Sequence, residues 1–138
     1  MIVPSEPAVS PPSSGVMLRG DGRVSVGRRG AGVLVCRLVG HLERQHLEWL
    51  LAELDRHVGD QVHLVFVDAS RLQSCVPSFT DTFGSWADEH AELRSLHLLT
   101  NTSVIEAEVP ALRHALEGRL VHHMEPERFH AVLLDLIG

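Results

Sequence analysis

The chain has 138 residues, 44% of them apolar and 22% charged, which is enough for one domain with its own core and too little for two. It contains no lysine and carries a formal net charge of −6, so it offers little to a nucleic-acid backbone. No apolar run approaches the ~18–20 residues of a membrane span, and the first residues lack the basic and apolar regions of a secretory leader. Cys36 and Cys75 do not make a disulfide framework in a chain of this size. The expectation is a cytoplasmic protein with two reduced thiols and no nucleic-acid or membrane partner.

Residues 1–20 hold Pro4, Pro7, Pro11 and Pro12 among serines and cannot bury much apolar surface, so they are expected as a flexible tail before a domain at 21–138. Residues 23–26 and 33–39 read as two strands of an antiparallel hairpin across a glycine-rich turn at 27–32. Gly40 closes the second strand, and a helix begins near Glu43. Its apolar stripe is Leu47, Leu50, Leu51, Leu54 and Val58, flanked by His46 and His57, and Gly59-Asp60 ends it. Residues 62–67 are β-branched and aromatic, the pattern of a strand buried on both faces. From Asp68 to Ser74 the chain turns polar and reads as a loop. Pro77 then fixes φ for a helix over 77–91, where Phe79, Phe83, Trp86 and His90 recur at helical spacing.

Residues 95–99 form a short strand candidate. Asn101, Thr102 and Ser103 can cap a helical stretch that runs to Leu116, with a break at Pro110 and a stop at Gly118. Residues 119–122 read as an edge strand. Glu125, Pro126 and Glu127 open a last helix whose buried face is Phe129, Val132, Leu133, Leu136 and Ile137. The order β-β-α-β-α-β-α-β-α predicts an α/β fold with helices packed on a mixed sheet.

The central strand, polar stretch and helix start place hydroxyls and free backbone N–H groups at the carboxyl end of a strand, where open α/β sheets put their working sites. A phosphate on Ser78 would meet the unpaired amides and positive dipole end of the following helix. Ser74 and Thr80 are further hydroxyls nearby. Asp68 can orient the loop, pair with Arg71, or accept backbone N–H groups and fix the turn. Cys75 would be a reactive thiol if the helix N-terminus lowered its pKa, whereas Cys36 belongs to a strand and the core.

The ten histidines, His122, His123 and His130 among them, invite a metal reading, but adjacent histidines on a strand point to opposite faces. No cofactor or metal is expected. Residues 27–32 lack the spacing of a phosphate-binding loop, and no constellation supports an enzyme.

Two local patterns within this order of elements resemble the STAS domain of bacterial anti-sigma factor antagonists. The first is a hydrophobic strand ending in glycine just before a helix, here Leu38-Val39-Gly40-His41-Leu42. The second is a strand ending in Asp, then a short loop and a serine at the next helix start, here Asp68-Ala69-Ser70 through Val76-Pro77-Ser78-Phe79. In the family the loop reads Asp-Leu-Ser-Gly-Val, an apolar pair, then Asp-Ser-Ser-Gly-Leu, and Ser78 falls on the serine that is phosphorylated. Val76, Pro77 and Phe79 depart from the aspartate, first serine and glycine of that motif. The resemblance implies a STAS-like mixed sheet and a non-catalytic regulatory module. Such a module would bind an anti-sigma factor, a related kinase or another regulator through residues 69–79. The surface expected from it comprises Asp68, Ser70, Arg71, Ser74, Cys75 and Phe79, switched by Ser78, with Trp86 adding apolar contact if exposed. The other reading is a small-ligand sensor whose pocket, at the carboxyl ends of the strands, has Cys75, Phe79 and His97 as walls.

Overall fold

A computed structural model describes residues 14–30, 32–58, 61–101 and 108–137. Six strands form one sheet in sequence order. They are β1 (Ser14–Arg19), β2 (Gly22–Arg29), β3 (Val33–Leu42), β4 (Leu64–Cys75), β5 (Ser95–Thr100) and β6 (Leu120–His123). The described helices are α1 (Arg44–His57), α2 (Phe79–Asp88), α3 (Val109–Leu116) and α4 (Pro126–Ile137). The first two pairings are antiparallel and the remaining three parallel. This is the mixed α/β sheet expected from the sequence, with one more strand at its start.

That extra strand corrects the expected tail. Residues 14–19 belong to the sheet, joined to β2 by a two-residue turn at Gly20-Asp21 in which Gly20 adopts φ +60°. The rest of the expected tail lies outside the described residues, as do Gly59-Asp60 and the Thr102 and Ser103 caps. The hairpin turn is also tighter than expected, because residues 27–29 remain paired in β2.

Alternation along the strands divides the core between the two sheet faces. Val24, Val26, Leu34, Cys36, Leu38, Val65, Val67, Leu96 and Leu98 point toward α1, α2 and α3 and build the larger cluster. The helices close over it with Leu47, Leu50 and Leu54 of α1, Phe83 and Trp86 of α2, and Leu112 and Leu116 of α3. Each such fully buried Leu contributes about 1.5–3 kcal/mol relative to leaving it in water. α2 and α3 approach closely because Gly84 has no side chain: a Cβ there would lie 2.9 Å from the Cβ of Ala115. Asp55 of α1 accepts the indole N–H of Trp86 at 2.8 Å and lies 2.9 Å from Nε2 of His90, which ties α1 to α2.

Among the described elements, the opposite face is covered by α4 alone, over Val33, Phe66, Leu99, Phe129 and Leu133. The expected buried face of α4 holds at Phe129 and Leu133 and partly at Val132 and Ile137, but Leu136 is exposed. α4 touches the sheet along a narrow stripe, so one turn of its apolar residues faces outward. His46 and His57, expected at the margins of the α1 stripe, are buried instead. Each ring is held through Nδ1, which accepts the Glu43 backbone N–H at 2.8 Å in His46 and the Arg28 Nε–H at 3.0 Å in His57.

Candidate functional site

The polar stretch after Val67 is strand, not loop. β4 continues to Cys75 and pairs with β3 as far as Leu42. The register shifts between Arg37↔Asp68 and Val39↔Arg71, adding one residue to β4. The insertion resets the inward phase, so that Ala69 and Leu72, three apart, are both buried. Polar residues therefore line the outer sides of a continuous strand. Only Val76-Pro77-Ser78 separates β4 from α2.

Asp68 Oδ1 accepts both the backbone N–H of Ser70 at 3.0 Å and its hydroxyl at 2.6 Å. Oδ2 lies 3.8 Å from Nε of Arg37. Asp68 thus fixes the bulge and pairs with Arg37 across the β3–β4 ladder, whereas its expected partner Arg71 is exposed on the other side of the bulge. Arg71, Ser70 and Gln73 border a cleft of about 510 Å³ with Asp21, Val39, Gly40 and Leu72. Ser74 is half-buried and hydrogen-bonded to Nδ1 of His41.

Ser78 occupies the N-cap position of α2, exposed, and its side chain makes no capping bond. Its carbonyl accepts the N–H of Thr82, and Phe79 N–H returns to the Val76 carbonyl. Thr80 differs: it is buried and donates to Glu108 Oε1, which brings a carboxylate to the first turn of α2. It is therefore a poor second site for a kinase.

Phe79 is corrected as a partner contact. Its ring is buried against Phe83, and Trp86 is buried beside it, so neither presents apolar surface. Cys75 is half-buried against the same core. Burial, and secondarily the charge of Glu108, push its thiol upward, which opposes the expected activation by the helix N-terminus. Cys36 is in the core as expected, pushed up to about 12 by burial and then by Glu53.

The pocket walls expected for a ligand sensor are not brought together. Cys75 and Phe79 pack on the α1–α2–α3 side, while His97 lies on the α4 side, stacked on Phe66 at 4.2 Å between ring centroids. His97 Nδ1 is 3.0 Å from Nε2 of His123, and both rings are buried. His122 points to the other face and bonds Thr100, so the two neighbours do diverge. Among the described residues no group of three or more His, Cys, Asp or Glu could hold a metal ion. Sequence reasoning missed the His97–His123 pair. Its only signal was one histidine on each of two adjacent parallel strands, visible once their register is known.

The same arrangement of sheet and helices occurs in solved proteins. A structure of the anti-sigma factor antagonist SpoIIAA in its unphosphorylated form superposes with a TM-score of 0.59 at 17% identity, over 81% of this chain and 97% of that one. The fold is STAS-like. The phosphorylated form of SpoIIAA, a Bacillus cell fate determinant, gives a TM-score of 0.60 at 17% identity over 79% and 98% of the two chains. An anti-sigma factor antagonist from Mycobacterium paratuberculosis gives 0.60 at 12% identity over 91% and 98%. A Shewanella loihica protein with a SpoIIAA-like fold gives 0.63 at 13% identity over 88% and 99%. No protein-family model matches the sequence, and no curated protein matches it. Within the STAS-like fold, the β4–α2 junction of this chain holds the second of the two sequence patterns that carried the resemblance, and the end of β3 holds the first.

Proposed function

We propose that this chain is a non-catalytic regulatory module of the anti-sigma factor antagonist type, working in the cytoplasm. It binds a regulatory protein through the surface at the end of β4 and the start of α2. The recognition residues on this reading are Ser70, Arg71, Gln73 and Ser74 with Ser78, while Asp68 holds the bulge beneath them. Support comes from two sides: the STAS-like fold is shared with SpoIIAA in both phosphorylation states, and the Ser78 hydroxyl is exposed and unused at a helix start. The second observation carries the reading. A serine recruited only to begin the helix would normally spend its hydroxyl on a backbone N–H.

A phosphate on Ser78 would gain the free amides of the first turn of α2 and would place about two negative charges on the docking surface. The experiment is a pull-down from the native cell with the chain as bait, in wild-type, Ser78→Ala, Ser78→Glu and Arg71→Glu forms, read by mass spectrometry. A partner kept by wild-type and Ser78→Ala but lost with Ser78→Glu supports the switch. Equal retention by the two Ser78 variants rejects the switch. Retention by Arg71→Glu as well rejects the surface.

A further inference from the structure

β1 is the edge of the sheet among the described strands, and of its own residues only Arg19, at its last position, carries a charge. Natural edges are protected by proline, a bulge or an inward charge, or are kept very short. β1 pairs with β2 over six residues without a register shift and carries no proline. It also presents two large apolar side chains that are among the most exposed of the described residues, Val16 at 57% and Leu18 at 69%. Both lie on the sheet face away from α1.

The two-residue turn makes Arg19↔Gly22 the hydrogen-bonded closing pair of the hairpin. Alternation then leaves the backbone N–H and C=O groups of Val16 and Leu18 pointing outward from the sheet. The residues with free backbone groups are thus the same ones that carry the exposed apolar side chains.

We infer that a second copy of this chain occupies this edge, the two β1 strands pairing antiparallel about a two-fold axis at Met17. In that register Val16 of each copy lies opposite Leu18 of the other, so both exposed apolar residues gain a cross-strand apolar neighbour. On the α1 side, Gly15 of one copy faces Arg19 of the other. A Cβ on Gly15 would lie 3.8 Å from Glu53 Oε1 and 3.2 Å from the Trp49 ring. The incoming Arg19, which in its own chain bridges Glu43 at 3.1 Å, therefore meets the Trp49 indole as a cation–π platform, beside a Glu53 carboxylate that already bridges Arg56 at 3.0 Å. The pairing repeats by symmetry, so each seam holds two such contacts. The self-complementary Val16–Leu18 pairs and the cationic Arg19 set against the Trp49 indole favour a second copy over a strand of unrelated sequence.

The test is the mass of the full chain by light scattering and sedimentation across micromolar to submillimolar concentrations. A concentration-dependent dimer is expected. Val16→Pro removes an outward N–H while leaving the β1–β2 ladder intact, and should weaken the dimer by roughly thirtyfold through two lost hydrogen bonds. Leu18→Lys, on a side chain already in water, should weaken it too if the proline variant fails to fold. Trp49→Leu, which removes the aromatic platform for Arg19, should weaken it as well. A monomer at every concentration overturns the inference, as does a dimer indifferent to Val16→Pro and Leu18→Lys. A dimer that forms only after removal of residues 1–13 also overturns it, because the chain's own start would then hold the edge.

Discussion

Nδ1 of His97 and Nε2 of His123 share a hydrogen bond at 3.0 Å, between parallel strands and beneath α4. One nitrogen must donate and the other accept, which two protonated rings cannot do. His97 stacks on Phe66, and His123 meets the edge of Phe129, so the pair lies inside the small core that holds α4 on the sheet.

This arrangement makes stability sensitive to mild acid. Burial, then the neighbouring His123, lowers His97 from 6.5 to about 4. Burial, with His122 and Arg128, lowers His123 as well. The unfolded chain therefore binds more protons than the folded one below about pH 6.5, and stability is full above that pH and falls toward pH 4. The expected loss between pH 6.5 and 5 is about 1–2 kcal/mol. Urea unfolding followed across pH checks it, and in His97→Leu/His123→Leu the loss over this interval should largely vanish.

Gly40 is fixed by a close backbone approach. It sits at φ +78°, and a Cβ on it would lie 2.1 Å from the Asp21 carbonyl oxygen. The glycine that ends the strand before α1, part of the resemblance to STAS domains, thus has a local cause: the β1–β2 turn rests directly on β3. Gly40→Ala should destabilise the fold by about 3 kcal/mol or more, measured by thermal or chemical unfolding. A loss below about 1 kcal/mol would mean the turn can lift away freely.

The central strand was legible because residues 62–67 are apolar on both faces, and α1 because its leucines recur at helical spacing. What stayed hidden depends on partners distant in sequence. β4 past Asp68 looks like a loop because the extra residue at the bulge breaks the two-residue period, and only its pairing with β3 restores it. β1 was obscured by the prolines and serines before it and by its edge position, where half of its side chains face water. In the site, Ser78 could be placed from Pro77 and the helix spacing. The burial of Phe79 could not, since an aromatic residue at a helix start serves a core or a docking surface with the same pattern. Arg37 was missed as the partner of Asp68 because register, not proximity in sequence, brings them together.

Arg119 holds the far end of the fold. Its guanidinium donates to the carbonyls of Leu116, His90, Leu93 and Ala87, each at 3.1 Å. One planar group therefore satisfies acceptors at the end of α2, in the turn before β5 and at the end of α3. Lysine offers a point charge with three donors and cannot span that fan. Arg119→Lys and Arg119→Ala should each lower stability by about 2–3 kcal/mol. Arg94→Ala, an exposed arginine nearby in sequence, should change it by less than about 0.5 kcal/mol. Denaturant midpoints at constant slope decide between them.

Cys75 is kept in its thiol form, by burial first and by the charge of Glu108 second. Burial and Glu108 both raise its thiol from the ordinary value of 9.0, so the thiolate is scarce at neutral pH. Alkylation by iodoacetamide, followed by mass spectrometry, should run several-fold slower than for free cysteine at pH 7.5 and keep accelerating beyond pH 9. Cys36, buried in the core, should react only when the chain unfolds. Glu108→Gln keeps an acceptor for the Thr80 hydroxyl but removes the negative charge, so Cys75 should react faster at pH 8. A rate that levels off below pH 8 in the wild type would instead mean that the start of α2 outweighs burial and activates the thiol.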